Sequence, residues 1–122
     1  MKKIVYILLV IWLFFPVIAF TQSTVTKVFY YDSDWKKIES RENASYSRII
    51  SFDTADYNFE HPIGWVKDYY RPSGNLQWKG KFSYYDIENE DNNKNRGLTT
   101  WYFDNSGRSK SRESYYYNGK LE

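Results

Sequence analysis

The chain has 122 residues, no cysteine, 17 basic and 15 acidic side chains, and aromatic residues at 21% of positions. The missing cysteine removes disulfides, thiolate metal ligands, a cysteine nucleophile and a lipidated N-terminal cysteine. Setting aside Lys2 and Lys3 leaves 15 basic against 15 acidic residues, which argues against a nucleic-acid partner, because polyanion binding draws on a surplus of cations.

The first segment reads MKKIVYILLVIWLFFPVIAFTQS. Lys2 and Lys3 form a basic n-region, Ile4 to Phe20 is almost wholly apolar, and Ala19 and Thr21 are small residues before a cut at Gln22. This layout predicts a signal-peptide helix over residues 1–21, a mature domain over 22–122, and a secreted or periplasmic product with no stable membrane insertion. An uncleaved inner-membrane anchor is the alternative, although the run carries Pro16 and is short against the ~20 residues of a spanning helix. An exported domain without disulfides holds itself by packing. Most of the 13 Tyr, 8 Phe and 5 Trp lie beyond the leader, and such residues suit cross-strand packing in sheets.

Val25 to Tyr31 reads as a strand. It runs into FYYDSDWKKI, an aromatic pair before a polar turn. ESRENAS then forms one helical turn or a loop. Tyr46 to Phe52 alternates Tyr46, Arg48, Ile50 and Phe52 with Ser47, Ile49 and Ser51, the period of a half-buried strand. The stretch from Asp53 to His61 is mixed, and Pro62 ends any regular run.

From Gly64 the chain repeats itself. GWVKDYYRPSGNLQWKGKF aligns without gaps on GLTTWYFDNSGRSKSRESY from Gly97, which matches Tyr69 with Tyr102, Tyr70 with Phe103 and Ser73-Gly74 with Ser106-Gly107. The units span 64–84 and 97–117, and a partial third begins at Tyr115. Each reads as a β-hairpin: Arg71-Pro72-Ser73-Gly74 and Asp104-Asn105-Ser106-Gly107 are turns, and Asn118-Gly119 is a two-residue hairpin signal. In the first unit Leu76, Trp78, Phe82 and Tyr84 fall on one face. Gln77, Lys79, Lys81 and Ser83 fall on the other, and Gly80 marks a bulge. Tyr85 to Arg96, polar and Asn-rich, reads as a long exposed loop. The expected fold is all-β: an antiparallel meander of β-hairpin repeats forming a single twisted sheet.

These units resemble MORN-like repeat proteins, whose pattern is a glycine, an aromatic pair, a polar dipeptide, a glycine and an alternating strand. The similarity extends to YwqK-type antitoxins and to exported bacterial members in which the repeats stand alone or precede a TonB-type domain. It implies hairpin repeats and a role in protein binding, with an antitoxin-like immunity function as an alternative. The second unit departs from the pattern, since Arg108 to Ser114 holds no apolar residue, and the chain stops just after the third turn. That arrangement predicts an open edge from Tyr115 to Leu121 and self-association through it.

No residue pattern points to catalysis. His61 stands alone, no glycine-flanked serine elbow occurs, and a Ser-His-Asp triad is excluded. Asp53, Asp56, Glu60 and Asp68 are the carboxylates near strands, but their spacing selects no pair, and they read as solvated charges. Oxygen ligands cluster from Asp86, yet Asp91 and Gly97 occupy the positions where a calcium loop needs glycine and glutamate. The expected cofactor and metal content is therefore none. The expected function is an exported, non-enzymatic protein-interaction module with an unidentified protein partner in the cell envelope, and a small carbohydrate-binding or carbohydrate-active protein is a third reading. Adjacent strand residues face opposite ways, so one aromatic of each pair belongs to the core. The candidate interaction surface is Tyr69, Tyr70, Tyr102, Phe103, Tyr116 and Tyr117.

Overall fold

The computed structural model describes residues 23–105 and 109–122. The expected leader at 1–21 and Ser106-Gly107 of the second turn lie outside the described residues. Eight antiparallel strands form one sheet: β1 (Thr24–Tyr31), β2 (Lys37–Ile38), β3 (Tyr46–Asp53), β4 (Val66–Tyr70), β5 (Leu76–Tyr84), β6 (Lys94–Tyr102), β7 (Lys110–Tyr117) and β8 (Lys120–Leu121). Their order is β2-β1-β3-β4-β5-β6-β7-β8.

From β3 onward this is the expected meander. The start differs, because β2 folds back on the outer edge of β1, with Tyr30 opposite Ile38. The ESRENAS segment is a turn rather than a helix, and carries the chain past the end of β1. There the Ser45 amide donates to the Tyr31 carbonyl at 2.8 Å, so that β3 starts on the other edge of β1. A two-residue β2 is too short to template a further strand.

Register explains the two faces. Phe29, Arg48, Asp68, Trp78, Trp101 and Arg112 stand opposite one another in one row across β1, β3, β4, β5, β6 and β7. On the same face Ile50, Phe52, Val66, Trp78, Phe82 and Tyr85 form the buried core, with Phe59 and Ile87 of the connecting segments packed against it. The other face carries the row Val28, Ile49, Lys67, Lys79, Thr100 and Glu113. Val28 and Ile49 are exposed there. An antiparallel sheet tolerates one solvated face because its hairpins need no covering helices.

The aligned glycines Gly64 and Gly97 share a φ of 73°, a conformation that side chains rarely adopt. Asn118 and Gly119 both have positive φ, as a two-residue hairpin turn requires. Gly80 serves a different purpose. A Cβ there would lie 2.4 Å and 2.6 Å from the Trp78 ring and 2.9 Å from the Thr99 methyl. Glycine at 80 thus gives the indole its place. Gly80→Ala is expected to cost about 1–3 kcal/mol as an overpacked core. The urea midpoint checks this, and an unchanged midpoint would mean that the ring swings aside freely.

Three expectations need correction. The segment 85–96 is not an exposed loop: Tyr85 is fully buried, Glu90–Asn92 forms a 3-10 turn, and β6 already begins at Lys94. Its oxygens serve its own turns, since Asp86 Oδ1 accepts from the Glu88 and Asn89 amides and Oδ2 from Asn92. Gln77 does not simply oppose Trp78 in direction. The pairing of β4 with β5 skips it, from Asp68–Trp78 to Tyr69–Leu76, and such a bulge re-aims a side chain. The last hairpin also has a return strand: Tyr116 pairs with Leu121, and the Glu122 amide donates to Tyr115. The stretch of β7 left without a neighbour carries exposed Lys110, Arg112 and Glu113, charges that discourage edge pairing.

Candidate functional site

The pairing of β3 with β4 sets Arg48 opposite Asp68. The guanidinium meets the carboxylate as a fork, Nε to Oδ1 at 2.7 Å and Nη2 to Oδ2 at 2.8 Å. Asp68 is only 2% exposed, so the expectation of a solvated charge fails. Alternation placed it correctly on a strand but could not reveal the cation across from it. Arg48 is ringed by Tyr31, Trp35, Trp78, Phe82 and Tyr85, all within 6.0 Å of its guanidinium carbon. The protein's own cation thus fills an aromatic cage.

Glu90 closes this network from the segment after β5. Its Oε1 accepts from the Tyr31 hydroxyl at 2.5 Å and the Tyr85 hydroxyl at 2.8 Å, and Lys37 Nζ lies 3.3 Å away. Tyr85 in turn accepts from Arg48 Nη1 at 3.2 Å. Burial pushes both phenols up in pKa, against the pull of Arg48, which keeps them as donors. Burial also opposes the Arg48 charge, but the Asp68 carboxylate holds its pKa well above the ordinary value. Burial raises the Asp68 carboxyl by more than Arg48 pulls it back.

Glu90 behaves in the opposite way. Burial alone would raise it, yet the hydrogen bonds from Tyr31 and Tyr85 and the charges of Arg48 and Lys37 hold it below its usual 4.5. A folded-state pKa below the unfolded one contributes stability that is present above pH 4.5 and lost as the pH falls through the folded value. Asp68, raised in the fold, acts with the opposite sign, so the wild type must be compared with a Glu90 variant. Glu90→Gln is expected to cost about 1–3 kcal/mol at pH 7, and the gap should close in acid. Urea unfolding of both proteins from pH 7 downward checks this, and a pH-independent gap would exclude the ionised role.

Beside the network lies a cleft of about 400 Å³. Trp78 and Phe82 are buried at its floor, Trp101 meets Trp78 edge to face at 6.2 Å, and Gln77, Asn93 and Asn95 add amides to the lining. The Gln77 Oε1 is buried with no hydrogen-bond partner. Trp35 stands at the mouth, 38% exposed, stacked on Tyr46 at 4.2 Å and 11°. It belongs to a turn tied by Asp32, whose carbonyl accepts from the Trp35 amide and whose Oδ1 accepts from the Asp34 and Lys36 amides. Among the described residues no group of three or more His, Cys, Asp or Glu could hold a metal ion.

None of the six tyrosine and phenylalanine candidates lines this cleft. Tyr102 is buried and Phe103 is 56% exposed, the expected division of a pair. Tyr69 and Tyr70 differ from it: both are half-buried, and the Tyr70 hydroxyl donates to the Tyr102 carbonyl at 2.8 Å. Tyr116 is half-buried and Tyr117 exposed, at the end of β7 away from the Tyr102–Lys110 pair. His61 sits on an exposed loop, with its amide donating to Asp56 Oδ2 at 2.8 Å. The Asp53 Oδ1 accepts from the Ala55 amide, and Glu60 offers its carbonyl to the Tyr85 amide. Sequence reasoning missed Trp35, Gln77, Glu90, Asn93 and Asn95. Only Trp35 carried a signal, an indole set among turn residues in DSDWKK.

Comparison with protein-family models, curated proteins and solved structures finds no match for this chain.

Proposed function

We propose that the chain is an exported, non-enzymatic interaction module that takes a ligand into the cleft between Trp35, Trp78 and Trp101. The observation that carries this reading is the combination of aromatic walls, side-chain amides with hydrogen-bonding atoms to spare and charges paired within the protein at one concave site. Arg48 is spent on Asp68, and Glu90 on two phenols and Lys37. Apolar surface with a few convergent polar groups is the general character of a ligand site. A general base or nucleophile needs a free proton acceptor within reach of its substrate, and the carboxylates of the cleft are already engaged. Export rests on the leader residues, and the resemblance of 64–84 and 97–117 to MORN-like units supports a binding role.

The test uses the full chain expressed in a bacterial host and purified as the host processes it. Mass spectrometry should find Gln22 at the N-terminus, while an intact residue 1 would favour the anchor. In ligand-observed NMR with mixed small polar compounds, some should bind saturably to the wild type and fail to bind Asn95→Trp, which fills the cleft. Unchanged binding by that variant would move the site elsewhere, and conversion of any compound over time would overturn the non-enzymatic reading.

A further inference from the structure

We infer that the cleft binds a neutral pyranose residue of a glycan, with Trp35 as its stacking platform; this rests on the proposed binding role of the same site. Trp35 has a φ of 61°, a left-handed conformation that a bulky side chain rarely holds and that tends to mark function when the surroundings enforce it. Phe59, at φ 52°, is repaid by core packing, its ring edge-on to Phe52 at 5.4 Å. Trp35 packs on Tyr46 and Tyr31, yet it keeps more than a third of its surface exposed at the cleft mouth, so packing alone does not account for its position. The Asp32 turn enforces the backbone, and Tyr46 backs the indole from one side. The sequence thus places a rigid flat apolar surface where glycine or asparagine would fit with less strain.

The rest of the cleft selects the ligand. Arg48 is forked by Asp68 and enclosed by the aromatic cage, so the lining leaves no cation for an anionic ligand, and Glu90 is balanced by Lys37 at 3.3 Å, just outside the lining. The lining polar groups left over are amides, Gln77, Asn93 and Asn95, which supply both donors and acceptors. The Asn93 Oδ1 is taken by the Asp86 amide, which leaves its NH2 to donate. A ligand with apolar C–H faces and neutral hydroxyl edges matches that set, and a cleft of about 400 Å³ accommodates a small ring within the usual size range of such sites.

The test follows the indole N–H signals of the processed protein during titration with methyl glucoside, cellobiose and N,N'-diacetylchitobiose, with glucuronate and glucosamine as charged counterparts. The neutral sugars should saturate below about 10 mM and shift Trp35 and Trp101. Trp65, which lies against Lys79 and Lys81, should stay unmoved. Trp35→Gly should bind at least about tenfold more weakly while still unfolding cooperatively, and Trp35→Phe should recover part of the affinity. Retained affinity in Trp35→Gly, or equal affinity for the charged sugars, would overturn the inference. If no sugar saturates while another class of compound binds the cleft, the sugar inference fails and the binding role stands. If nothing binds the cleft, both fail.

Discussion

Replacing Asp68 with alanine is expected to lower the unfolding free energy by roughly 3–5 kcal/mol, because it strands the Arg48 guanidinium without its counter-ion. A domain of this size has a total stability of about 5–15 kcal/mol, so the substitution removes a large share of it. The five rings around Arg48 do not offset the loss, since their cation–π contacts are already made in the wild type. The double variant Arg48→Met, Asp68→Leu removes both charges and keeps apolar volume. It should recover most of the loss, as replacing a buried pair is often neutral or stabilising. Guanidinium unfolding of the wild type and the two variants checks both statements. A single variant within about 0.5 kcal/mol of wild type would mean that Arg48 reaches water when Asp68 is gone.

The second large effect concerns Tyr85. Tyr85→Ala removes a fully buried ring that meets Phe52 at 6.3 Å and Phe82 at 5.1 Å, and it removes the hydroxyl shared by Arg48 and Glu90. The expected cost is roughly 3–5 kcal/mol, the range for emptying a large aromatic site. Tyr117→Ala, at 72% exposure, should stay within about 0.5 kcal/mol. The contrast separates two views of 85–96. If that segment were a solvated loop, both substitutions would be silent. Thermal or urea unfolding of the pair of variants distinguishes them.

Residue type and period made the sheet legible. Alternation in Tyr46 to Phe52 and in Trp78 to Tyr84 gave the strands, and the Asn118-Gly119 turn and the Gly64–Gly97 correspondence gave hairpin positions, because turn chemistry and pleat are local properties. The division of Tyr102 from Phe103 followed from the same pleat, whereas Tyr69 and Tyr70 are both half-buried, and the Tyr70 hydroxyl reaches past β5 to the Tyr102 carbonyl of β6. Size-exclusion of the purified protein at high concentration checks the expected self-association through the last hairpin, and a purely monomeric profile would exclude it.

The sequence by itself determined an all-β chain with strands and turns, since each depends on a few adjacent residues and their φ preferences. Only the tertiary structure decided that Arg48 meets Asp68, that Glu90 and Tyr85 fold inward, and that Trp35 closes a cleft with Gln77, Asn93 and Asn95. Those partners are 20 residues apart for Arg48 and Asp68 and 59 for Tyr31 and Glu90. Strand register, and a bulge that re-aims one side chain, set their meeting. A polar residue reads as solvated from its neighbours in sequence. Whether it is buried depends on which charge the register sets across from it.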